Sequence, residues 1–116
     1  MDSLHALTEQ IRSFAHERDW DRFHSPKNLS MALIAEAAEL LEHFQWATEE
    51  QSYAPAPAKL QAVKHEIADV FIYLIRLSDR LDIDLLSAAR EKLELNKEKY
   101  PADKVRGDAR KYSDYK

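Results

Sequence analysis

Apolar positions recur at helical spacing along most of the chain. Leu4, Leu7, Ile11 and Phe14, with Ala15, predict a first helix of about four turns, ending before the polar stretch at residues 19–24. Ser25 followed by Pro26 reads as an N-cap and a proline in the first turn, opening a second helix that runs to about residue 46. Residues 47–57, with Thr48, Gln51, Ser52, Pro55 and Pro57, break the pattern and predict a connecting loop. A third helix follows over about 58–81, carrying Leu60, Val63, Ile67, Val70, Phe71, Leu74 and Leu81. Asp82 or Asp84 caps a fourth, with Leu85, Leu86, Ala89, Leu93 and Asn96. It stops at Tyr100, because Pro101 disfavours helical geometry in the residue before it. Four helices, two of them long and central, predict an all-α fold of the four-helix-bundle type in one domain over residues 1–101. Residues 102–116 read as a polar tail.

Composition sharpens this picture. The chain holds a single glycine, Gly107, which leaves little material for the tight turns of a sheet. It has no cysteine, so disulfides, zinc knuckles and thiol catalysis are excluded, and any metal ligands must be Asp, Glu or His. A net charge of −4 provides no bulk attraction to duplex nucleic acid. No apolar run approaches the roughly 20 residues that span a bilayer, and residues 1–6 have neither a basic nor an apolar leader region. A cytoplasmic protein with no membrane partner is the expectation.

Chemistry concentrates in two acidic pairs. On a wheel of about 100° per residue, Leu29, Leu33, Ala37, Leu40 and Phe44 share one arc of the second helix; Glu36 sits at its border and Glu39 on the same flank. The third helix repeats the arrangement, with an apolar arc through Val63, Ile67, Val70, Leu74 and Leu77, Glu66 at its edge and Asp69 just beyond. Like charges one turn apart repel, more so when desolvated, so two facing pairs require compensation. A hard divalent cation, Mg²⁺ or Mn²⁺, supplies it through oxygen ligands. Either pair alone fits an ordinary solvated helix face better than a metal site.

The run Glu36-Ala37-Ala38-Glu39-Leu40, followed by Glu66-Ile67-Ala68-Asp69-Val70, resembles the paired ExxE and ExxD motifs of the MazG-like all-α pyrophosphohydrolases. Further stretches are similar to the dCTP pyrophosphatase branch of that family: Phe14 to Trp20, Phe23-His24, Pro26 to Leu29, Phe44-Gln45-Trp46, Ile72-Tyr73-Leu74, Asn96 to Pro101, and Lys111-Tyr112. The resemblance implies that Glu36, Glu39, Glu66 and Asp69 hold Mg²⁺, that Trp20, Trp46 and Tyr73 enclose the base, and that Lys92 and Asn96 contact phosphate or sugar. It also implies a homo-oligomer, typically a tetramer, with sites shared between subunits. One position departs from the mammalian pattern: Ile11 stands where a histidine belongs to the base pocket, which bears on base choice rather than on hydrolysis.

The residues support these roles to differing degrees. Lys92, Asn96 and Lys99 share a stripe of the fourth helix suited to a polyphosphate, although a lysine snorkelling beside buried leucines gives the same pattern. Trp20 and Trp46 lie at element ends, where rings stack on a base or cap the core. Tyr73, two turns beyond Glu66, shares its flank or is a core-edge tyrosine with a wet hydroxyl. His24 is a candidate phosphate contact. His43, one turn beyond Glu39, is a weaker metal candidate than the carboxylates.

The expected reaction is Mg²⁺-dependent attack of water on the α-phosphorus of dCTP or a modified analogue, releasing pyrophosphate and a monophosphate, with Glu36 or Glu39 accepting the water's proton. Three alternatives stay open: the same chemistry on another nucleotide, a metal-binding bundle, and a non-catalytic helical interaction module. A di-iron bundle expects Glu-x-x-His on two helices, and neither acidic pair is followed by such a histidine.

Overall fold

In the computed structural model, residues 3–109 are described. They form helices and turns only, and the resemblance at Lys111-Tyr112 lies outside them. Four long helices account for most of the chain: α1 (Leu4–Glu17), α2 (Pro26–Glu42), α4 (Pro57–Arg80) and α5 (Leu85–Lys99), with single-turn helices α3 (Glu49–Ser52) and α6 (Ala102–Val105). The chain divides into two compact units between Ile83 and Asp84. The first contains α1 to α4 and the second α5 and α6.

Local chemistry sets most boundaries. Ser3 Oγ accepts from the Ala6 amide at 3.0 Å, Ser25 Oγ from Asn28 at 3.1 Å, and Asp84 Oδ1 from Ser87 at 3.0 Å, satisfying amides at three helix starts. Pro26 and Pro57 occupy first-turn positions, where the missing N–H costs nothing. Both α1 and α4 end in a Schellman-type turn. Trp20 N donates to Ala15 O at 2.9 Å and Ile83 N to Ser78 O at 2.8 Å, with Asp19 and Asp82 each at φ 55.

Two boundaries differ from the sequence pattern. Helix α2 closes at Glu42 rather than near residue 46, and the chain continues in turns, with Gln45 N still donating to Leu41 O at 2.9 Å. The chain is extended at Thr48, which caps α3. The stretch expected to be loop therefore contains a helical turn, held by a capping box. Thr48 Oγ1 accepts from Gln51 N at 3.1 Å, and Gln51 Oε1 accepts from Thr48 N at 3.0 Å.

In the first unit α4 packs chiefly on α2 and also on α1. Ala15, Leu29, Val63 and Ile75 are buried between them, and so is one charged residue, Arg76. Large apolar side chains stay exposed on the same helices, among them Met31, Ile34 and Leu41 on α2 and Leu60, Ile67 and Phe71 on α4. Among the described residues no helix is long and apolar enough to cross a membrane.

Candidate active site

Helices α2 and α4 turn toward each other along lines of positions alternately three and four residues apart. Leu29, Leu33, Glu36 and Leu40 form the line on α2; Val63, Glu66, Val70, Tyr73 and Leu77 form it on α4. Every one of these is buried or half-buried, whereas Ile34, Ile67 and Leu74 beside them are exposed. A seam of this spacing normally takes apolar side chains. Glu36 and Glu66 occupy two of its positions, so these carboxylates lie on the inward line itself rather than at its border. Ile67 and Leu74, read from the wheel as core, are correspondingly rotated outward.

Glu36, Glu39 and Glu66 each bring a carboxylate oxygen into one group, all within 4.8 Å of one another. Oε2 of Glu36 and Oε2 of Glu66 are buried and have no hydrogen-bond partner. Burial pushes the Glu36 carboxyl up to about 7, with further contributions from hydrogen bonding to Glu66 and Glu39 and from the charges of Glu39 and Asp69. Unpartnered buried oxygens and crowded negative charge both cost free energy, and a divalent cation relieves both. The all-oxygen donor set fits a hard ion such as Mg²⁺ or Mn²⁺. Asp69 is exposed and lies outside the three-residue group, although its charge reaches Glu36.

Tyr73 is half-buried on the same seam. Burial, then the charges of Glu36 and Asp69, raise its phenol above the ordinary range, which places it beside the acidic group. Trp46 is 89% exposed and lines a cleft of about 330 Å³ with His43, Phe44, Pro55 and Lys59. Trp20 follows α1, its ring edge-on to Phe14 at 5.6 Å and 6.1 Å from His24. The His24 Nδ1 accepts a hydrogen bond from Arg76 Nε at 3.0 Å; burial and the Arg76 charge lower its pKa. In the second unit Lys92 is exposed and Asn96 half-buried on α5.

The helical pattern of the sequence does not announce a polar network beside Trp20. The guanidinium of Arg76 also donates to Asp21 Oδ1 at 2.5 Å, and Arg12 makes a two-point contact with Asp79, at 2.6 and 3.0 Å. One signal was present: Arg76 interrupts an otherwise apolar run from Val70 to Leu77.

Residues 32–115 match the MazG-like family. Over 103 residues the chain is 45% identical to dCTP pyrophosphatase 1 of Mus musculus and 42% identical to that of Homo sapiens, covering 87% of this chain and 61% of each relative. The chain thus spans about three-fifths of the length of these curated relatives. A solved pyrophosphatase from Archaeoglobus fulgidus superposes with a TM-score of 0.82 at 37% identity, over 87% of this chain and 94% of that one. Paired acidic motifs that meet on one helical seam, a family match over most of the chain and a superposable relative establish that this protein belongs to the MazG-like family.

Proposed function

We propose that the protein is a divalent-metal-dependent nucleoside triphosphate pyrophosphohydrolase that converts dCTP, or a modified dCTP analogue, to dCMP and pyrophosphate. The observation that carries this reading is the meeting of Glu36, Glu39 and Glu66 on the α2–α4 seam, with two buried oxygens that no protein donor satisfies. The curated relatives are dCTP pyrophosphatases, which points to the substrate.

Glu36, Glu39 and Glu66 would hold the cation, with Asp69 completing the set. Mg²⁺, or Mn²⁺ in its place, would supply neutralisation of triphosphate charge and orientation of the attacking water. Glu39 is the exposed member of the group and is open to take the water's proton, while Glu36 faces Glu66 across the seam. The oxygen–phosphorus bond then forms at the α-phosphate, and the bond to the bridging oxygen breaks to release pyrophosphate. Trp20, Trp46 and Tyr73 enclose the base, and His24, Lys92 and Asn96 serve the sugar and phosphates.

Apolar side chains left exposed on α2 and α4 are those a second copy would cover, supporting a homo-oligomer, with a tetramer as the family's usual form. A role in cleansing the nucleotide pool carries a cytoplasmic location with it. Ile11 favours a second reading, the same chemistry with a different preferred base.

Pyrophosphate release from canonical and 5-modified nucleoside triphosphates, with and without Mg²⁺, tests the proposal. Metal-dependent formation of a monophosphate and pyrophosphate, fastest with a cytosine deoxynucleotide, is the expected result. Orthophosphate as product, or no turnover by the folded, Mg²⁺-supplied protein, would overturn it.

A further inference from the structure

Arg76, one turn before the C-terminal end of α4, is 2% exposed, and a charge so buried is tolerated only when closely partnered. Its partners all lie in a short span of structure. Nε donates to His24 Nδ1 at 3.0 Å, Nη2 to Asp21 Oδ1 at 2.5 Å, and Nη1 is 3.7 Å from Asp79 Oδ2. One turn further along, Arg80 Nε donates to His24 O at 3.1 Å and Nη2 to Asp21 O at 3.3 Å. Asp21 and His24 are thus each gripped twice, through side chain by Arg76 and through backbone by Arg80. Arginine has no acceptor, so His24 Nδ1 must be the unprotonated nitrogen, and the ring is committed to one tautomer.

Trp20 immediately precedes this clamped segment. Trp20 is 42% exposed, and its ring neighbours among the described residues are Phe14 and His24, so core packing does little to hold it. The helix that grips the connector also carries Glu66 and Tyr73. From this geometry we propose that Arg76 and Arg80 are positioning residues that register the α1–α2 connector to α4, fixing the face Trp20 offers to the nucleobase relative to the acidic group. The proposal rests on the reading above, in which Trp20 stacks on the base; His24, through Nδ1, is also a strut of the connector, leaving Nε2 for the phosphate contact.

The test uses the full chain with Trp46→Phe, so that Trp20 is the single indole. Arg76→Lys keeps the charge but loses the planar fork, and Arg80→Gln removes the second grip from a more exposed position. Trp20 anisotropy and acrylamide quenching are read for each, followed by KM and kcat for dCTP and calorimetric Mg²⁺ affinity. Expected in both variants are a looser, more quenchable Trp20 and a KM for dCTP raised roughly 5-fold or more, the scale of a weakened base stack. Far-ultraviolet circular dichroism, kcat and Mg²⁺ affinity stay unchanged. An unaltered Trp20 signal in a folded variant, or a loosened Trp20 with unchanged KM, would overturn the proposal. Should Arg76→Lys fail to fold, Arg80→Gln decides alone. If the protein without these substitutions releases pyrophosphate from no nucleotide, only the functional reading falls, and the fluorescence comparison still decides whether the arginines hold Trp20.

Discussion

Glu36 and Glu66 meet across the α2–α4 seam, and each keeps one buried carboxylate oxygen, Oε2, without a hydrogen-bond partner. This pair sits where two apolar residues would otherwise pack, so the site interrupts the very interface that builds the unit. Replacing Glu66 with Gln removes one charge and adds an amide donor to satisfy Glu36. In EDTA the Glu66→Gln protein should unfold at a higher temperature than the unsubstituted protein, by about 1 kcal/mol in stability. Its Mg²⁺-induced rise in melting temperature should vanish, and kcat should fall at least about 100-fold. Paired thermal melts and pyrophosphate assays measure all three; an unchanged Mg²⁺ effect would remove Glu66 from the metal site.

The raised Glu36 carboxyl sets a pH dependence for the metal-free protein. Its folded pKa is about 7, against an ordinary value of 4.5, so protonated Glu36 favours the folded state. That contribution is complete below about 4.5 and is lost as pH rises through about 7. Asp79 acts in the opposite sense. The Arg12 guanidinium holds its carboxyl below the usual 3.8, so the stability it contributes is present above that value and lost at lower pH. In EDTA the melting temperature should therefore peak in mildly acidic buffer and decline toward pH 8. The decline should disappear in Glu36→Gln and be suppressed by Mg²⁺, as scanning fluorimetry across a pH series would show.

Asp82 ends α4 at φ 55, a conformation that strains an L-residue and leaves glycine at ease. Asp82→Gly should raise stability by roughly 0.5–1 kcal/mol, visible as a higher denaturation midpoint in urea with an unchanged slope. No effect on pyrophosphate release is expected. A lower midpoint would mean that the Asp82 side chain contributes more than its backbone strain costs.

Trp46 is almost fully exposed, so little folding energy rides on it. Trp46→Ala should change stability by no more than about 0.5 kcal/mol while raising KM for dCTP, since a base–aromatic stack is worth about 1–3 kcal/mol. Steady-state kinetics beside a urea melt separates the two effects, and an unchanged KM would take Trp46 out of the base site.

Periodicity and end chemistry, both local properties of the sequence, determined the helices. Leu4, Leu7 and Ile11 announce α1; Ser25-Pro26, Asp84 and Pro101 mark where helices start or stop. The acidic pairs were equally legible, because residues three apart on a helix must share a flank. Even the missed turn α3 was written in Thr48 and Gln51, as a capping box within a proline-rich stretch. Tertiary structure alone decided how far each flank turned inward. A wheel leaves a border residue free to face either solvent or neighbour, and only the packing of α4 on α2 put Glu36 and Glu66 on the seam, exposing Ile67 and Leu74 instead. The same holds for Arg76. Its partners Asp21 and His24 lie 55 and 52 residues away, and no local rule connects positions that only a folded chain brings within hydrogen-bond distance.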